Sequence, residues 1–88
     1  MIMTYEVLDP TEFISGDMFR QDEFLANIAL YDWNRFEKRQ VLVKGCHSTI
    51  FPPWAYMCIV GKLAGLARTV RYGNEHDNIV VARHPQKS

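Results

Sequence analysis

The order of apolar and polar positions divides the 88-residue chain into alternating extended and helical segments. Residues 3 to 8 read as a first strand, with Tyr5 and Val7 on one face. Asp9-Pro10 is a turn signal. Phe13-Ile14 fits a second short strand, ended by Ser15-Gly16-Asp17. Phe24, Leu25, Ile28 and Tyr31 then recur at helical spacing, with Asp22 and Glu23 suited to the first turn. That helix should stop near Tyr31-Asp32, leaving Trp33 and Phe36 in a short turn pinned onto the core.

The second half reads more sharply. Val41-Leu42-Val43 is a continuous aliphatic run of the kind found in a central strand covered on both faces, and it ends at Gly45. A loop from Cys46 to Phe51 leads to Pro52-Pro53, which opens a helix because proline is tolerated at the first helical position. That helix, roughly 53 to 67, is apolar nearly all round, which predicts burial against the sheet and against a second subunit. Its Gly61 and Gly65, one turn apart, predict close packing on the sheet. Thr69 to Tyr72 reads as the next strand, Gly73-Asn74 as a polar turn, Ile79-Val80-Val81 as a last strand, and 84–88 as a frayed tail. The segment 41 to 72 is thus a βαβ unit with an expected right-handed crossover. The fold class is a small α/β domain of two or three layers, with four to five strands and two main helices in the order β-(β)-α-β-α-β-β. One domain over 1–83, with a flexible tail at 84–88, is the expected organisation.

Composition narrows the functional classes. A 48% hydrophobic share supplies a core, so disorder is not expected away from the ends. Ten basic residues balance ten acidic ones without a basic stripe, which argues against a nucleic-acid partner. The run from Trp54 to Val60 falls well short of the ~20 residues of a membrane span, and Met1-Ile2-Met3 is too short for a leader. Cys46 and Cys58 make no disulfide framework, so a reducing cytoplasm is the expected setting.

Candidate chemistry centres on Lys44-Gly45-Cys46-His47, where the central strand ends and before the second helix begins. Ligands bind at such strand ends in open α/β sheets. Free amides at a helix start favour a thiolate, so Cys46 is a candidate nucleophile, sulfur carrier or metal ligand. Against this stands the strong tendency of free cysteine to be buried, the reading preferred for Cys58 within the helix. In a parallel βαβ unit, His76 in the turn after the next strand opens on the same edge as Cys46 and His47. A thiolate with imidazoles suits zinc or an iron–sulfur cluster, but a closed zinc site needs four ligands, so a second subunit or partner would complete it. Solvated loop histidines are the plainer account, and His84 is incidental. Ser48 and Thr49 before the helix leave room for a small anion. Asp17, Asp22 and Glu23 are explained as a solvated helix start, and Trp54 and Tyr56 as core. There is no Gly-rich phosphate loop and no Gly-x-Ser-x-Gly motif, so the reading leans away from an enzyme.

One set of residues resembles a known pattern: Asp32-Trp33 before the central strand, Lys44-Gly45-Cys46 at its end, Pro52, Pro53, Trp54, Ala55 and Tyr56 at the helix start, and Tyr72-Gly73 closing the next strand. Over Tyr31 to Gly73 the chain resembles the bacterial family called domain of unknown function 2480. Trp54-Ala55-Tyr56-Met57 is similar to one family copy of the unit, and Lys44-Gly45-Cys46 with a proline six later to another. The family's chains carry two such units and this sequence holds one, so the resemblance implies pairing as a homodimer. One family copy has a cysteine three residues after the strand-ending glycine, where His76 stands here, an exchange a soft metal site accommodates. The genes of the family resemble those of iron–sulfur assembly in their setting. Two readings follow: a small homodimeric accessory domain that works by its surface, with a protein partner or within a larger assembly, or a thiol- or metal-dependent site at Cys46.

Overall fold

The computed structural model describes residues 5–16, 18–45 and 51–83. Its strands are β1 (Glu6–Leu8), β2 (Gln40–Lys44), β3 (Thr69–Gly73) and β4 (Asn78–Arg83). Helix α1 (Gln21–Leu30) lies between β1 and β2, and α2 (Pro53–Ala64) between β2 and β3. The sheet order is β1-β2-β3-β4, with β2 parallel to both its neighbours and β4 antiparallel to β3. Two right-handed crossovers stepping in one direction put both helices on one face. One core cluster accordingly joins Leu8, Val41, Val43 and Val70 to Phe24 and Ile28 of α1 and to Ala55, Ile59 and Leu63 of α2. The α/β class and the βαβ unit of the sequence reading stand, and its two-layer alternative is the one formed. No helix among the described residues is long and apolar enough to cross a membrane.

The expected strand at Phe13-Ile14 does not form. Pro10–Phe13 is instead a turn of 3-10 helix. The Asp9 carboxylate accepts from the Thr11 backbone N–H at 3.0 Å and from its hydroxyl at 2.8 Å, and Pro10 supplies the fixed φ of a first helical residue. Phe13 is buried by this turn against Trp33, stacked at 5.6 Å, with Phe24 and Tyr31 edge-on. The amide of Asn27 donates to the Phe13 carbonyl at 2.9 Å and ties the turn to α1.

Helix α1 starts as its charges require. Glu23 reaches back to the Ser15 N–H at 3.1 Å and to the Ser15 hydroxyl. These bonds, the hydroxyl first, hold the Glu23 carboxyl below the usual carboxylate range. At the other end, the Trp33 indole N–H donates to the Ile28 carbonyl at 2.9 Å, satisfying one of the carbonyls a helix end leaves open. Trp33 and Phe36 are both buried in a 3-10 turn over Trp33–Phe36, as their spacing predicts.

Val41, Leu42 and Val43 are each fully buried. Leu42 faces away from the helices, between Val7 and Arg71 in register. On that face the Arg71 guanidinium lies 6.0 Å from the Tyr5 ring and donates to Asn78 Oδ1 at 2.9 Å. Helix α2 ends at Ala64 rather than at 67, capped by Gly65, and the Leu66 and Ala67 N–H groups both bond to the Leu63 carbonyl. The close packing expected of Gly61 and Gly65 is not found. Both are exposed, and a Cβ on either would meet nothing within 4 Å. The buried stripe of α2 is Ala55, Ile59 and Leu63, at i, i+4, i+8, so Gly61 falls on the outward side.

Candidate functional site

Parallel pairing of β2 and β3 brings their carboxyl ends to one edge of the sheet, with Lys44 opposite Gly73. The Gly45 N–H continues the ladder to the Gly73 carbonyl at 2.9 Å. A Cβ at Gly45 would sit 3.4 Å from the Tyr72 hydroxyl, so the strand end is closely approached by that phenol. The chain leaves β3 through Gly73 at φ 139°, where a Cβ would lie 2.4 Å from the Asp77 carbonyl oxygen; only glycine fits. Asn74 organises the turn that follows. Its side-chain oxygen accepts from the N–H groups of His76 and Asp77, each at 2.8 Å, and its carbonyl accepts from the Asn78 amide at 2.8 Å. His76 is thereby held, exposed, at the same sheet edge as Gly45.

Cys46 and His47 lie outside the described residues, as do Ser48, Thr49, Asp17 and His84. Among the described residues, no group of three or more His, Cys, Asp or Glu side chains could hold a metal ion. The helix-start residues are better placed. Pro52 precedes α2 and Pro53 opens it. Trp54 is half-buried and packs edge-on against Phe19 and Phe24, Ala55 is fully buried, and Tyr56 sits between the rings of Phe51 at 5.7 Å and Tyr72 at 5.1 Å. These residues dock α2 onto the strand ends, in keeping with the core role expected of Trp54 and Tyr56.

The larger feature is apolar. Met57, one residue on from Tyr56, is 72% exposed. Beside it a groove of about 470 Å³ runs between α2 and the sheet margin, bounded by Tyr56, Met57, Val60, Tyr72 and Val81. A second groove, of about 480 Å³, lies between the two helices and is lined by Leu25, Ile28, Ala29 and Cys58. Cys58 is therefore half-buried at a groove wall rather than sealed in the core. Gly61 borders both grooves, and its missing side chain helps leave them open. On β4, Ile79, Val80 and Val81 are 64%, 36% and 42% exposed. The sequence reading places Met57, Ile79, Val80 and Val81 in a helix and a strand without giving their outward direction. The available signal was position: a last strand that pairs only with β3 must be an edge.

A family model described as Protein of unknown function (DUF2480) matches residues 4–84, nearly the whole chain and well beyond the span on which the resemblance rested. No curated protein and no solved structure matches the chain.

Proposed function

From the premise that the chain belongs to the family described as Protein of unknown function (DUF2480), we propose that it is a small accessory domain that works by its surface, as a homodimer and within a larger assembly. The observation that carries this reading is the exposed apolar surface along α2 and β4. Single exposed apolar side chains are ordinary on protein surfaces. Here Met57, Val60, Val81 and the two tyrosines border one groove, and Ile79 and Val80 continue along the adjoining strand. Contiguous apolar surface of this kind marks association sites.

A second reading, a thiol or zinc or iron–sulfur site at Cys46, is favoured by one observation. Gly45, the residue before Cys46, and the turn that presents His76 share a sheet edge. Native mass spectrometry with metal analysis, on protein purified without oxygen, separates the two. The interaction reading expects a metal-free dimer that Cys46→Ser leaves intact. A monomer whose bound metal is lost in Cys46→Ser would overturn it in favour of the second reading.

A further inference from the structure

We propose that the end of the sheet at which β2 and β3 begin carries a binding site for a phosphoryl group, as the free ion or as a phosphomonoester. The site is separate from the apolar surface of α2 and β4 and does not rest on the interaction reading. β2 and β3 are parallel and start level with each other, Gln40 opposite Thr69. The residues that lead into them are tied side by side. The Lys38 N–H donates to the Leu66 carbonyl at 2.8 Å, and the Arg68 N–H donates to the Arg39 carbonyl at 2.8 Å. Lys38, Arg39 and Arg68 thereby meet around a recess of about 180 Å³ that Glu6 and Gln40 complete. Sites for drug-sized ligands run to ~300–1,000 Å³, so this recess suits one small polar group.

The charges select the ligand. Three cationic side chains and one carboxylate leave the recess at a net +2, in a chain whose net charge is zero. The Glu6 carboxylate lies 3.8 Å from the Arg39 guanidinium. Among the described residues, neither the Lys38 nor the Arg68 side chain has a partner. A dianion neutralises such a recess, whereas a monocarboxylate leaves half of its charge standing. Guanidinium groups also match phosphate oxygens in a forked, two-bond geometry. The backbone of Lys38 is an independent observation. Its φ is 60°, and among the described residues no other non-glycine residue has a positive φ. The turn from Trp33–Phe36 into β2 needs that conformation, which glycine or asparagine takes at lower cost. A lysine adds nothing the turn requires, but it brings an ammonium group to the recess.

Backbone-amide NMR of the full chain, titrated with inorganic phosphate at neutral pH and constant ionic strength, tests this. The amide signals of Lys38, Arg39, Gln40 and Arg68 should move together along one saturating curve. Exposed charge contacts are individually weak, so the expected Kd is millimolar. Glycerol phosphate should move the same signals, and acetate should leave them in place. Tighter binding of glycerol phosphate than of inorganic phosphate would identify the monoester as the source, and the reverse order the free ion. Arg68→Gln should weaken phosphate binding about fivefold. Lys38→Gly should weaken it by a similar factor and yet melt no lower than the wild type, since glycine relieves the left-handed backbone. Shifts spread over all exposed amides, or matched by acetate, would overturn the site, as would wild-type affinity in Arg68→Gln. A Lys38→Gly variant that melts lower and still binds phosphate as the wild type does would overturn the part given to that lysine and make it a structural cation at the end of α2.

Discussion

Gly61→Ala should stabilise this protein, and the size of the effect follows from where the glycine lies. It is inside α2, which runs Pro53–Ala64, so it bears the full backbone-entropy cost of glycine in a helix, about 1 kcal/mol relative to alanine. An added methyl meets no atom within 4 Å, so no steric cost offsets the gain. Little burial adds to it either, because the side is exposed. For a domain of this length, about 1 kcal/mol corresponds to a rise of roughly 4–8 °C in Tm. Gly65 is the internal control. It too has open space, but it caps the helix at φ −84° and ψ −9°, after the last helical residue. Gly65→Ala should therefore gain less. Thermal melts followed by circular dichroism at low protein concentration, supported by urea unfolding, give both values. A lowered Tm in Gly61→Ala would mean that this side of α2 packs against the protein, and the outward assignment of Met57 and of both grooves would fall with it. A larger gain in Gly65→Ala than in Gly61→Ala would refute the propensity argument itself.

Gly73→Ala should do the opposite. Residue 73 has φ 139° and its Cβ would be driven to 2.4 Å from the Asp77 carbonyl, so a loss of about 3 kcal/mol or more is expected in urea unfolding; a loss under about 1 kcal/mol would show that the turn relaxes freely. The Ser15 bonds that lower the Glu23 pKa make the ionised carboxylate more favourable in the fold than in the unfolded chain. That contribution is present above the unfolded pKa and is lost as pH falls through the folded one. In Ser15→Ala the Glu23 titration midpoint, followed by NMR at the side-chain carboxyl carbon, should move up toward the ordinary glutamate value, and an unmoved midpoint would contradict the assigned cause.

Elements whose signal is a local repeat were legible. Phe24 and Ile28 face the core as their spacing requires, and Val41-Leu42-Val43 is the central strand its composition announces. Trp33 and Phe36 are buried in a turn because two large rings three apart have few other places to go. Two expectations failed, each for its own reason. Phe13-Ile14 has strand-forming residues, but the Asp9 carboxylate and Pro10 decide the backbone two residues earlier, and local capping overrides propensity. Leu25 belongs to the same apolar spacing as Phe24 and Ile28, yet it is 41% exposed at the margin of the interhelical groove.

Helix α2 shows why function was harder to read than fold. An apolar-all-round helix tells a reader that both sides want cover, but not which side the sheet takes. Ala55, Ile59 and Leu63 take the sheet, and the opposite side is left with Met57 and two glycines. Had Gly61 and Gly65 faced the sheet, they would have explained themselves as packing residues. Facing outward, Gly61 costs the helix stability without serving its own core, and Gly65 does no more than cap it. The same asymmetry holds for β4, whose Ile79 and Val81 lie on the helix side of the sheet and yet stay open to solvent. Neither feature stabilises an isolated copy. Both become intelligible if the margin between α2 and β4 is covered by another chain.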